Sequence, residues 1–171
     1  MTVISGAEMA ALFDGYQRTA WRFEAQPVYT MPDERASFTR FLAGEPKPSG
    51  HNEDWHLTVR SYVTLGKKIG RVRIVRQPLT DYQRYQLAWG IPGNIDAGED
   101  IRILDVTGGD LGLPTQDFWM FDESIVVHLN FNTDGTFRER DRVDSSNLST
   151  YLAWRDVAMK NSVSFAEYAR P

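Results

Sequence analysis

The chain has 171 residues, 42% of them hydrophobic, with 9 Phe, 7 Tyr and 5 Trp, a net charge of −4 and no cysteine. A chain of that length buries a core without disulfides or metals, and the absence of cysteine excludes disulfides, cysteine nucleophiles, thiolate zinc sites and iron–sulfur clusters. The acidic balance argues against bulk attraction to nucleic acid, and no window approaches the ~20 apolar residues of a membrane helix.

Residues 1–6 lack a basic segment followed by an apolar run, so no signal peptide is expected, and the composition fits a reducing cytoplasm. Ser5 caps a first helix over 6–15, with Met9, Leu12 and Phe13 on one face. Residues 19–26 alternate apolar and polar, with Trp21 and Phe23 on one side, which predicts a strand. Pro32 opens a helix over 33–43, with Phe38, Phe41 and Leu42 pointing inward, and 44–50 is a flexible loop. Residues 54–65 read as a helix through Trp55, Val59, Tyr62 and Val63. Residues 70–76 alternate again: Val72 and Ile74 take one face and arginines the other, until Pro78 stops the strand.

Thr80 and Gln83 form a capping box that starts a helix through Trp89. Pro92, Gly93 and Asn94 read as a turn, 100–105 as a short strand built on Ile101 and Ile103, and 107–113 as a Gly-rich loop. Residues 117–131 read as a strand, a tight acidic turn and a second strand. A turn at 132–135 leads to Phe137, a last helix covers 148–160, and the tail at 163–171 is expected to be mobile. The helix–strand order from 54 to 131 predicts an α/β fold in a single domain, 1–171, with one mixed sheet flanked by helices; α+β is the alternative.

The order helix, strand 71–76, helix, strand 100–105, loop, strand–Asp–strand resembles one half of the phospholipase D-like fold. That family's pattern is His-x-Lys-x-x-x-x-Asp, in which the His is the nucleophile and the Lys binds the phosphate. With the Asp laid on Asp122, Thr115 falls on the His position and Asp117 on the Lys position. The family's Gly-Ser-x-Asn falls on Val127-His128-Leu129-Asn130, which keeps only the Asn. Thr cannot replace an imidazole as nucleophile and proton carrier, and Asp puts negative charge where a phosphate should sit. The resemblance therefore implies the fold without its phosphodiester chemistry.

A closer resemblance covers nearly the whole chain. Trp21-Arg22-Phe23-Glu24, Phe41-Leu42-Ala43-Gly44-Glu45-Pro46, Arg71-Val72-Arg73-Ile74-Val75, Pro78-Leu79-Thr80-Asp81-Tyr82 and Asp117-Phe118-Trp119-Met120-Phe121-Asp122 are similar to domain-of-unknown-function family 6879, an actinobacterial family. Its members are often encoded beside helix-turn-helix regulators, which implies a regulatory role by association.

Several side chains are candidates for a site. Ligands of open α/β sheets bind outside the carboxyl ends of strands, and a helix N-terminus there adds partial positive charge. A cleft between strands 71–76 and 100–105 and the hairpin would then use Arg73, Arg76, Asp81, Tyr82 and Arg84 as its polar part and Trp119 as its apolar part. An anionic small molecule is the expected ligand. The plainer reading is that the arginines pair with Glu24, Asp100 and other carboxylates. Trp55, Tyr82, Tyr85 and Trp89 are candidates to line a pocket, with core packing the plainer reading for at least half.

Histidines 51, 56 and 128 lack metal-ligand spacing, and no cofactor is implied. The loop at 108–112 lacks Gly-Lys-Ser/Thr, so it is not a phosphate loop. The leading expectation is a non-catalytic ligand-binding or protein-interaction domain acting with a helix-turn-helix regulator, without direct nucleic-acid or membrane contact. The alternative is a diverged hydrolase or nuclease using His128 with Asp117 or Asp122, which requires those side chains to converge in one open pocket. A third is a subunit of a toxin–antitoxin-like pair.

Overall fold

The computed structural model describes residues 1–170. The chain opens with β1 (Thr2–Ile4), α1 (Gly6–Gly15) and β2 (Thr19–Glu24), then α2 (Arg35–Leu42), α3 (Glu53–Thr64) and β3 (Lys68–Val75). It continues through α4 (Asp81–Tyr85), α5 (Ile91–Ala97), β4 (Asp100–Asp105), β5 (Asp117–Phe121), β6 (Ile125–Phe131) and β7 (Phe137–Arg142), and ends with α6 (Leu148–Asn161), β8 (Val163–Ser164) and α7 (Phe165–Tyr168). The strands form one eight-stranded mixed sheet in the order β1-β7-β6-β5-β2-β3-β4-β8. This is the α/β architecture, with helices on both faces, that the alternation of helix and strand predicts.

β2, β3 and β4 are parallel, and helical crossovers join them: α2 and α3 from β2 to β3, and α4 to α5 from β3 to β4. The register is what matters for the site. Arg22 lies opposite Arg71, and Glu24 opposite Arg73. β5 pairs antiparallel with the other side of β2, with Trp119 opposite Arg22.

The two sheet faces differ. Trp21, Phe23, Val72, Leu104, Phe118, Met120 and Val126 make an apolar layer closed by Tyr151 and Ala158 of α6. The opposite face has an apolar flank, where Met9 of α1 and Val59 and Tyr62 of α3 pack on Ala20, Phe121, Val127 and Leu129. Beside that flank the strands present Arg22, Glu24, Arg71, Arg73 and Asp117. The period-2 alternation of β2 and β3 makes one face apolar and the other charged.

Capping explains two helix starts. Ser5 and Glu8 form a reciprocal capping box on α1, and Thr80 and Gln83 form one on α4. The turn expected at 92–94 is helix instead: a π-helical turn, Gln86–Gly90, joins α4 to α5 without a break, and Pro92 follows directly after the irregular turn that accommodates it. A Cβ on Gly93 would lie 2.6 Å from the His56 ring, so the glycine lets α5 pack closely on α3.

The hairpin is not a sheet edge, because β5 and β6 stand inside the strand order. Three residues, 122–124, connect the strands: Asp122 and Glu123 take left-handed φ values of 49 and 54, and the Ser124 N–H closes the turn on the Phe121 carbonyl at 3.0 Å. The Asp122 carboxylate accepts hydrogen bonds from the backbone N–H of Gln17 (2.7 Å), Arg18 (2.7 Å) and Thr19 (2.9 Å), tying the turn to the start of β2. The segment expected to be a mobile tail adds β8 to the edge of β4, and Phe165 and Tyr168 of α7 pack against Ile101 and Ile103. No helix among the described residues is long and apolar enough to cross a membrane.

Candidate functional site

Three arginines and three carboxylates meet on the charged face. Arg71 donates from Nε to Glu99 (2.6 Å) and from Nη1 to Glu24 (2.7 Å). Arg73 donates to the side chain of Gln86 (2.8 Å) and to the backbone oxygen of Glu24 (3.2 Å), with its Nε 3.6 Å from the Glu24 carboxylate. Arg22 donates from Nη2 to Asp117 (3.2 Å). Glu24, Glu99 and Asp117 are all buried. The parallel register creates this layer, since it stacks Arg22 beside Arg71 and Glu24 beside Arg73.

The layer is charge-balanced, and other side chains complete it. Tyr29 lies under both Arg22 and Arg73, whose guanidinium carbons stand 5.4 and 5.3 Å from its ring centre, and its hydroxyl donates to Asp117. Ala25 N–H also donates to Asp117 (2.8 Å), Gln86 donates to Glu24, and Trp55 Nε1 donates to Glu99 (2.9 Å). Burial opposes the charge of Glu24, but Arg22, Arg71 and Arg73 more than offset it and hold its carboxyl well below the usual range. Burial, with Asp117 and Glu24 nearby, pushes the Tyr29 phenol up, so it stays a neutral donor. Arg22 Nε and Arg73 Nη2 find no acceptor among the described residues.

Above this layer is a cleft of about 750 Å³. Arg22, Arg71 and Trp119 contribute its floor from the sheet, and Phe13, Trp55, Tyr82 and Tyr85 contribute aromatic wall. One side of its mouth is Asp33 and Glu34; the other is Asn52, Glu53 and Asp54 at the start of α3. Tyr82 donates to Glu34 (2.5 Å), and the Tyr85 hydroxyl is 2.7 Å from that of Ser37.

The residues expected at the carboxyl ends of β3 and β4 do not come together. β2 and β3 stand between the hairpin and β4, so the expected cleft is divided. Arg73 is 1% exposed and engaged beneath the surface. Arg76, Asp81 and Arg84 are exposed; Arg84 bonds Asp81 and the Leu79 carbonyl rather than facing a cavity. Only Tyr82 and Trp119 of that set line the observed cleft. Glu99, not Asp100, is the second carboxylate on Arg71. Of the four aromatic candidates, Trp55, Tyr82 and Tyr85 face the cleft, while Trp89 packs with Tyr85 and Phe41.

His128, Asp117 and Asp122 do not converge either. His128 is opposite Phe118 across the β5–β6 pair, so it shares the α6 face, where its Nε2 lies 2.7 Å from the Tyr151 hydroxyl. Asp117, next to Phe118 in the strand, points to the other face, and Asp122 is held at the turn by backbone amides. Burial lowers the His128 pKa. Glu34, Ser37, Asn52 and Glu53 were not singled out in sequence; only the folded chain brings them to one cleft.

A family profile, Domain of unknown function (DUF6879), matches residues 7–170. The chain belongs to this family. No curated protein matches this DUF6879 chain in sequence. Among solved structures it is similar to Nuc from Salmonella typhimurium, a phospholipase D family member, with a TM-score of 0.51, 11% identity, and coverage of 92% of this chain and 90% of that one. NucT from Helicobacter pylori is similar over 92% of this chain and 91% of its own, with a TM-score of 0.48 and 10% identity. The DUF6879 domain thus has a phospholipase D-like fold over nearly its whole length. In that frame Thr115 is an exposed loop residue and Asp117 is neutralised by Arg22.

Proposed function

We propose that this DUF6879 domain is a non-catalytic ligand-binding domain, and that its site is the cleft over Arg22, Arg71 and Trp119. The observation that carries this reading is an aromatic-walled cleft of about 750 Å³ above a fixed, charge-balanced floor. Such a volume and mixture of rings with a few placed polar groups suit a small molecule or a peptide side chain. The floor is rigid because each carboxylate in it has at least two hydrogen-bond donors.

The position that the phospholipase D-like pattern fills with Lys holds Asp117, which is buried and already bonded to Arg22, Tyr29 and Ala25. It has no free lone pair facing a substrate in the cleft and no imidazole beside it, which argues against hydrolysis by that route.

A thermal-shift screen with a small-molecule fragment library tests the reading, run on the wild type and on Ser37→Phe, which fills the cleft from α2. Fragments are expected to stabilise the wild type and to lose their effect on the variant. Equal stabilisation of both proteins counts against the site. Hydrolysis of bis-p-nitrophenyl phosphate that disappears in Asp117→Asn counts against the non-catalytic reading. The helix-turn-helix partner implied by the family is tested by co-purification with the neighbouring gene product.

A further inference from the structure

We infer that the cleft takes a cationic group, an amidinium, guanidinium or ammonium, carried on a partly apolar body. This inference rests on the cleft being the binding site and specifies its ligand. It differs from the anionic ligand that the arginine-rich strand suggests.

The first observation is where the arginine charge goes. Arg22, Arg71 and Arg73 face Glu24, Glu99 and Asp117, three cations on three buried carboxylates. An entering anion would meet a floor whose positive charge is already matched, and the carboxylates would repel it. The arginines hold the floor together and leave little charge for a ligand.

The second observation is Glu34. Its side chain is partly buried at the wall of the cleft, and its hydrogen-bond partner is the Tyr82 hydroxyl rather than a cation. Burial raises its pKa despite that hydrogen bond, Asp33 and Glu24 raise it further, and the nearby Arg22 offsets this only in part. This carboxylate is desolvated without a salt-bridge partner, so an arriving cation would relieve a cost already present. Its neighbours reinforce the sign: Asp33 and Asp54 line the same cleft without a salt-bridge partner among the described residues, and Glu53 pairs with Arg60 at 3.1 Å.

The third observation is the wall. The side chains of Tyr82, Tyr85, Trp55 and Phe13 line the same space as Glu34. Aromatic faces attract cations, most strongly where water is displaced. They also give the apolar body of such a ligand a surface to cover. The acidic first turn of α3 has a simpler cause in the helix dipole, but the dipole does not explain a partly buried Glu34 aimed at Tyr82.

Benzamidine, benzamide and benzoate share one ring and differ in charge, which makes them a direct probe. Binding is read by isothermal titration and by the indole N–H resonance of Trp55. Benzamidine is expected to bind and move Trp55, benzamide to bind at least tenfold more weakly, and benzoate not to bind. Glu34→Gln, equal in shape, is expected to weaken benzamidine at least tenfold with the melting temperature held within a few degrees. Asp54→Asn, at the exposed rim, is expected to weaken it about two- to threefold and guards against a folding defect in the first variant. Agmatine and an acetylated Gly-Arg-Gly amide then separate a free cation from an arginine side chain in a peptide. Benzoate or benzamide binding at Trp55 as tightly as benzamidine would overturn the cation inference while leaving the cleft a binding site. Unchanged benzamidine affinity in Glu34→Gln would also overturn it. If none of the probes and no library fragment moves Trp55, the cleft reading itself fails.

Discussion

The sheet has one face built to be closed and one built to be lined. On the α6 side, Trp21, Phe23, Phe118, Met120 and Val126 meet Tyr151 and Ala158, and Phe23 and Phe118 stack with centroids 5.3 Å apart. On the other side the same strands present Arg22, Glu24, Arg71, Arg73 and Asp117, and a cleft stands above part of them. Both faces come from one alternating pattern in β2, β3 and β5. The difference shows how a buried polar layer can floor a site: it cannot collapse as apolar side chains do, because each ion is held in place by several others.

The comparison predicts different modes of failure. Phe118→Ala leaves a cavity under α6 and is expected to cost about 3–5 kcal/mol in denaturant unfolding, with ligand affinity of the remaining folded protein unchanged. Glu24→Ala leaves three arginines short of a partner and is expected to cost a similar ~3–5 kcal/mol, with ligand affinity lost as well. The two also differ in pH dependence. The folded-state pKa of Glu24 is depressed below its ordinary 4.5, so its contribution is fully present above that value and is lost as pH falls below it toward the folded value. Acid unfolding curves should therefore be shallower in Glu24→Ala than in Phe118→Ala. Equal acid limbs would mean that the charged layer contributes nothing distinctive.

Smaller changes sharpen the picture. Tyr29→Phe removes the hydroxyl that donates to Asp117 and is expected to cost about 1–3 kcal/mol, read by thermal and denaturant unfolding. Glu123→Gly relieves a left-handed residue in the hairpin turn at the loss of a half-exposed 3.1 Å pair with Arg155. A net gain of about 0.5–1 kcal/mol is expected, since glycine suits this turn position and exposed pairs contribute little. Destabilisation by this variant would show that the Arg155 pair outweighs the backbone strain.

The fold was largely legible because its main elements carry local signals. Ser5 and Thr80 mark helix starts, and the alternations in β2, β3 and β4 mark strands whose partners supply helices between them. β7 was missed because Phe-Arg-Glu-Arg-Asp-Arg has no apolar alternation, and it becomes a strand by pairing between β6 and β1. β1 and β8 are too short to carry a period. Pro92 read as a turn because its place in the first turn of α5 depends on the π-helical turn before it.

The site was less legible. Glu24 and Arg71 are individually visible as charged strand residues, but their pairing depends on a parallel register set by a long crossover. The arginine row suggested an anion site, but the fold adopts the plainer reading, in which Arg71 and Arg73 pair with Glu24. The mouth of the cleft joins residues near 33 to residues near 53 across a loop, a proximity that no local pattern encodes. The hairpin, which resembled a catalytic one, holds Asp117 and His128 on opposite faces.

The protein's own tryptophans test the central claim most directly. Trp55 and Trp119 line the cleft, whereas Trp21 and Trp154 belong to the α6 face. In a two-dimensional ¹H–¹⁵N spectrum of the indole N–H groups, titrated with benzamidine, the account predicts shifts for Trp55 and Trp119 and none for Trp21 and Trp154. Shifts confined to Trp21 or Trp154 would contradict it.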